Sequence, residues 1–150
     1  MCGLVALLSS GAPVDPELVI RMRDRLLHRG PDHGGLWIRD DGRLALGHRR
    51  LAIIDVSAEA NQPMQSDDGR FVVAYNGEIY NYLELRETLA RLGHRFRTGS
   101  DTEVLLLSYI QWGVDCLYRL NGMFAFTLWD AVERRLFVAR DRFGEKPLFW

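Results

Sequence analysis

Apolar positions change their spacing several times along this chain of 150 residues, and each change predicts a different element. Gly3 to Ser9 reads as a strand of small and apolar residues. In "GAPVDPELVIRMRDRLLHRG" the period lengthens: Val19, Met22 and Leu26 share one helical face, with Asp15 as N-cap, Pro16 at the first helical position and Gly30 as the stop. "LWIRDDGRLALGHRR" alternates apolar and polar residues about Asp41-Gly42, which predicts a hairpin. "FVVAYNGE" is a strand with little polar interruption.

Two helices are expected next. The first runs from about Asn81 to Leu92, with Asn81 and Glu84 as a capping box, Leu85, Leu89 and Leu92 as its apolar face and Gly93 as its stop. The second lies in "GSDTEVLLLSYIQWG", where Ser100 and Glu103 form another capping box and Gly113 stands at the C-cap. "MFAFTLWD" and "LFVARD" predict two strands joined by a short polar turn. "PLFW" is a last strand signal that stops at the chain end, and it predicts a longer parent protein. Strands, helix, strands, two helices and strands again, with hairpins among them, indicate an α+β domain built on antiparallel sheet.

Composition narrows the partners. A net charge of -1 gives no footprint for nucleic acid or an anionic membrane surface. No run approaches the ~20 apolar residues of a membrane span, and the opening lacks the basic flank of a signal peptide. Two cysteines suit a reduced, cytoplasmic setting better than a disulfide scaffold. Cys2, Cys116 and the four histidines show no paired spacing of metal ligands, and no phosphate-cradling glycine loop is present, so neither metal nor cofactor is expected in this chain.

Five segments are polar where their neighbours are apolar: "HRGPD" at 28–32, "GHRRL" at 47–51, "YNGEIYN" at 75–81 between strand and helix, "GSD" at 99–101 and "RDRFGEKPLF" near the end. Taken singly, each has a plain structural reading as a turn, a cap or a solvated edge, and Cys2 reads as a small buried hydrophobe. Jointly they supply an Arg fork for a carboxylate, an Asp for an ammonium, and an Asn beside a glycine N–H for an oxyanion. That is the complement of a glutamine-like substrate.

In this order the motifs Met-Cys-Gly, "HRGPD", "HRRLAIID", "NGEIYN", "GSDTE" and "RDRFGEKPLF" resemble the glutaminase domain of glutamine-hydrolysing asparagine synthetases, among the class II glutamine amidotransferases. The resemblance covers residues 1–150. It implies an N-terminal-nucleophile hydrolase fold, four layers in the order αββα with two stacked antiparallel sheets, truncated at the C-terminus. It further implies that Met1 is removed, that Cys2 is the nucleophile with its own α-amine as base, and that Asn76 and the Gly77 N–H form the oxyanion hole. Arg50 and Asp101 are then the partners of the substrate carboxylate and ammonium, with Glu78 near the amine and Leu51 and Ile53 offering backbone contacts. Arg49 is a neighbour that the family lets vary.

The expected partners are L-glutamine and a C-terminal synthetase domain outside this chain, where ATP and Mg are expected; a homodimer is admitted as its assembly. Three other readings stay open at this point. They are an amidotransferase of the same family with a different acceptor, an N-terminal thiol acylase, and a catalytically inert scaffold module.

Overall fold

Strand β3 (Leu44–Arg50) is the centre of a three-stranded antiparallel sheet, with β1 (Gly3–Leu8) on one side and β2 (His33–Ile38) on the other. A second antiparallel sheet runs in the order β4 (Met64–Gln65), β5 (Phe71–Ile79), β6 (Gly122–Asp130), β7 (Arg135–Arg140). Three helices complete the chain: α1 (Pro16–Asp24), α2 (Tyr82–Arg91) and α3 (Asp101–Trp112). The computed structural model describes residues 1–150.

The layers follow from which faces are apolar. α1 lies on the outer face of the first sheet, with Val19 fully buried against β3. Leu44 and Leu46 of β3 meet Val72 and Ala74 of β5 and Trp129 of β6 between the sheets. On the other face of β5, Phe71, Val73 and Tyr75 enter the larger core with Leu85 and Leu89 of α2 and Val104, Leu105 and Tyr109 of α3. Successive side chains of a strand point to opposite faces. Because β5 is covered on both, its apolar run shows almost no alternation.

Several local expectations hold. The Asp15 carboxylate accepts the Glu17 N–H at 2.9 Å, and Asp41-Gly42 turns the β2–β3 hairpin. Gly93 and Gly113, both at positive φ, end α2 and α3.

Others are corrected by tertiary contacts. α1 stops at Asp24, not at Gly30, because Leu26 and Leu27 turn back onto Arg23 O and Asp24 O in tight i→i+3 bonds. Gly30 serves a different need: a Cβ there would collide with the Arg49 backbone of β3. Of the expected helical face only Val19 is buried; Met22 is exposed and Leu26 half-buried. Asn81 precedes α2 but does not cap it, since its side chain donates to Arg119 O and accepts from Asn121 N, tying α2 to the start of β6.

Leu92 lies beyond the last buried turn of α2 and is exposed. Ser100 caps α3 through Glu103 N, yet the Glu103 carboxylate returns to Arg97 N, Thr98 N and Thr98 Oγ1 rather than closing the box. "FVVAYNGE" is strand as expected, and β5 runs one residue further, its ladder with β6 continuing to Ile79. "PLFW" pairs with no strand, and Phe149 and Trp150 are exposed. The two-residue strand β4 and the 3₁₀ turns at Ala58–Ala60 and Gly113–Tyr118 carry no periodic signal long enough to read.

One polar link crosses the apolar layer. His48 of β3 is fully buried, and its Nε2–H donates to the Tyr75 carbonyl of β5 at 2.9 Å. Burial pushes its pKa down to about 4, so the imidazole is neutral at physiological pH. A folded-state pKa below the unfolded value makes the fold lose stability as pH falls from about 6.5 to about 4, by on the order of 3 kcal/mol for this shift. His48→Gln should flatten that part of the stability curve, checked by urea unfolding at a series of pH values.

Candidate active site

The C-terminal end of β3, the middle of β5 and the N-terminus of α3 converge beside the start of the chain. They enclose a cavity of about 100 Å³. Cys2, Arg50, Leu51, Ile53, Asn76, Gly77, Glu78 and Asp101, scattered over a hundred positions of sequence, all line it. No three His, Cys, Asp or Glu side chains converge in a way that could hold a metal ion.

Cys2 precedes β1, where pairing of Gly3 with Arg49 brings it to the end of β3. Its half-buried thiol receives the Leu51 N–H at 3.4 Å and faces the Leu51 carbonyl at 3.8 Å. Burial pushes the thiol pKa up, while the Leu51 amide, the chain's terminal charge and Arg50 pull the other way. Beside it Asn76 follows the same two-residue alternation as Val72 and Ala74 and so points to the first-sheet side of β5. It is 5% exposed. Gly77 is required by close approach, since a Cβ would meet the Met123 carbonyl and stand 2.7 Å from the Tyr75 ring.

The two charged poles are held differently. Arg50 is buried at the end of β3, and its guanidinium donates to Ser57 O and Asn61 Oδ1, each at 2.8 Å, and to Asp55 O. Three of its five N–H donors therefore anchor the loop after β3, leaving Nε–H and one Nη2–H as a side-on fork. Arg49 points away and pairs with Asp24 at 2.6 Å. Asp101 sits at the first residue of α3, where its Oδ2 accepts the Tyr75 hydroxyl at 2.8 Å and the Ile79 N–H at 3.1 Å. Burial raises its pKa, and the Tyr75 and Ile79 bonds oppose that rise. Ile53 is 71% exposed on the rim.

Sequence reasoning missed four residues that shape the site. Tyr75 orients Asp101; Gln62 accepts Tyr75 N–H at 2.7 Å and donates to Thr102 Oγ1 at 3.2 Å, joining β5 to α3. Met1 lies over the cavity, and the ammonium of Lys146 enters it from the far end of the chain. Lys146 had a visible signal, being the only lysine among nineteen basic residues. Tyr75 opens "YNGEIYN", but neither it nor Gln62 carried a signal of its role, because their partners are remote in sequence. A thiol, an amide donor and two opposite fixed charges around one small cavity suit a zwitterionic ligand whose reactive carbonyl reaches Cys2.

The profile of the glutamine amidotransferase domain matches residues 1–150. Asparagine synthetase (glutamine-hydrolyzing) 3 of Bacillus subtilis is 42% identical over 100% of this chain and 25% of its own length. Asparagine synthetase (glutamine-hydrolyzing) 1 of Arabidopsis thaliana is 44% identical over 99% of this chain and 25% of its own. The chain thus spans about a quarter of the length of the curated relatives it matches. Among solved structures, glutamine phosphoribosylpyrophosphate amidotransferase of B. subtilis superimposes with a TM-score of 0.77 at 25% identity, over 92% of this chain and 37% of that one. The stacked sheets between helices are the N-terminal-nucleophile hydrolase fold that the motifs led us to expect.

The two cysteines should separate cleanly in a native-state alkylation experiment. Cys116 is fully buried, and burial pushes its thiol up to about 12. Cys2 is only half-buried and opens on the cavity. Iodoacetamide should label Cys2 at least tenfold faster than Cys116 below pH 9, as read by peptide mass spectrometry.

Proposed function

We propose, for a chain that belongs to the glutamine amidotransferase domain family, that it hydrolyses L-glutamine to glutamate and ammonia through a thioester on Cys2. The observation that supports this most is the convergence of Cys2, Arg50, Asn76, Gly77 and Asp101, which are remote in sequence, on one cavity. The reading requires removal of Met1, which frees the Cys2 α-amine beside its own thiol. With a reference pKa near ~8, that amine can accept the thiol proton at neutral pH.

The Arg50 fork receives the glutamine α-carboxylate, and Asp101, held by Tyr75, receives the ammonium, with Glu78 nearby. Leu51 and Ile53 add backbone contacts at the rim. The substrate's side-chain carbonyl then lies at Cys2, and Sγ attacks it. The oxyanion that forms is met by the Asn76 amide and the Gly77 N–H. Collapse returns the proton from the α-amine to the leaving nitrogen and expels ammonia. Water then attacks the thioester, with the amine again as base, and releases glutamate and the free thiol.

In the proposed whole protein, ammonia passes to a synthetase domain in the three quarters of the relatives' length that lies outside this chain. There, ATP and Mg activate the carboxylate of aspartate and asparagine is the product. The two free cysteines make the cytoplasm the proposed compartment.

The test is direct. Protein with Met1 removed, verified by mass spectrometry, should release equal amounts of glutamate and ammonia from glutamine. Cys2→Ala should abolish turnover while the circular dichroism spectrum stays native. Asn76→Ala should lower kcat by roughly 10²–10³, the cost of one oxyanion donor. Full turnover by protein that retains Met1 would sink the α-amine mechanism, and a rise in KM alone for Asn76→Ala would make Asn76 a binding group.

Arg50→Lys should be damaging beyond the loss of a substrate contact, since a single ammonium cannot hold Asp55 O, Ser57 O and Asn61 Oδ1 and still present a fork. We expect KM to rise at least tenfold. Arg49→Lys, which only alters the pair with Asp24, should change KM less than twofold in the same assay.

A further inference from the structure

The motif "RDRFGEKPLF" takes no role in the mechanism proposed above, yet it delivers Lys146 into the cavity. After β7, Asp141 organises a tight turn: its carboxylate accepts the N–H groups of Phe124, Phe143, Glu145 and Lys146, and Gly144 takes the positive φ that the turn requires. The turn points the Lys146 side chain inward, and the residue is 4% exposed. Its Nζ makes one polar contact, to Met1 Sδ at 3.3 Å, and no carboxylate pairs with it. A thioether is a weak acceptor. The chain's only lysine is therefore a buried cation without a counter-ion, and its sole polar contact is with the residue whose removal the mechanism requires.

Covalent geometry keeps Met1 Sδ within ~6 Å of the Cys2 nitrogen. Loss of Met1 leaves Nζ facing the position of that nitrogen, now an α-amine, from at most ~9 Å. Other charges also face it. Arg29 donates from Nε to the Cys2 carbonyl at 2.9 Å, Arg50 and the acids Asp55, Glu78 and Asp101 line the cavity, and His28 lines the adjoining one that shares Cys2. Each acid has a claim on it elsewhere: Asp55 binds Ser57 N and Gly99 N, Asp101 binds Tyr75 and Ile79, and Glu78 and Asp101 await the substrate ammonium. Lys146 has none.

We propose that Lys146 is a positioning residue whose ammonium keeps the Cys2 α-amine in its neutral, proton-accepting form. The inference rests on the α-amine mechanism proposed above. A like charge disfavours the protonated amine, and two unit charges at ~9 Å in an effective dielectric of ~20 interact by on the order of one pKa unit. Removing the Lys146 charge therefore raises the amine's titration midpoint by about one pH unit and moves the acid limb of kcat/KM upward equally.

Having one lysine makes the measurement clean, because mature protein carries only two amines. Trace acetylation of the full chain with isotopically labelled acetic anhydride, followed across pH by mass spectrometry in a Cys2→Ser background, gives the α-amine midpoint without any need for turnover. The expected result is a midpoint about one unit higher in Lys146→Met and restored to within a few tenths in Lys146→Arg. The acid limb of kcat/KM in the corresponding Cys2 proteins should follow the same order. An unmoved α-amine midpoint in natively folded Lys146→Met overturns the proposal; Lys146→Gln replaces it if that variant fails to fold, and is read by the same criterion. Absence of glutamine turnover in the Cys2 protein would count against the proposed function alone, because the amine titration reads the Lys146 effect separately.

Discussion

Tyr75 has its N–H bonded to Gln62, its carbonyl to His48 and its hydroxyl to Asp101, so one residue of β5 connects the loop before β4, the first sheet and the start of α3. All of these bonds are buried, where an unmet donor or acceptor costs about 1–3 kcal/mol. Their geometry is therefore held tightly. The next residues along the strand are Asn76 and Gly77. Whatever fixes the Tyr75 backbone fixes where the Asn76 amide points and where the Gly77 N–H lies, on a scaffold of paired strand rather than on a loop.

Burial of β5 on both faces makes this possible and also gives it a cost. A strand covered by α2 and α3 on one side and by β3 on the other has little freedom to shift, which suits a pair of oxyanion donors. It also confines the titratable groups near it. The same desolvation holds His48 neutral and raises Asp101 and the Cys2 thiol, three effects with one cause. The site answers with fixed cations: Arg50 and Arg29 are both hydrogen-bonded to backbone carbonyls near Cys2, and the Lys146 ammonium enters from the turn after β7.

Arg50 shows how a single side chain can serve both fold and site. Three of its donors hold the loop between β3 and β4, which carries Asp55 to Gly99 and so ties the loop to the turn before α3. The loop, the α3 N-terminus and Arg50 form one mechanical unit. A change in the loop is then felt at the Asp101 end of the cavity as well as at the Arg50 end.

Much was legible in the chain itself. Local signals with short reach set the order of elements, the β2–β3 hairpin, the Asp15 and Ser100 caps and the glycine stops of α2 and α3, since each depends on residues within a few positions of one another. The resemblance that the motifs carry also named eight of the residues that line the cavity. Tertiary structure decided the rest. Asn81 and Glu103 carry capping chemistry but found better partners in Asn121, Arg119 and Thr98, contacts that spacing cannot show. Ile79 joined the expected "FVVAYNGE" strand because β6 lay alongside it, and Gly30 proved necessary for the approach of another backbone. Most of all, the inward path of Lys146 and the three bonds of Tyr75 exist only once strands remote in sequence are layered, because burial and hydrogen-bond direction are properties of the packed chain and not of any segment of it.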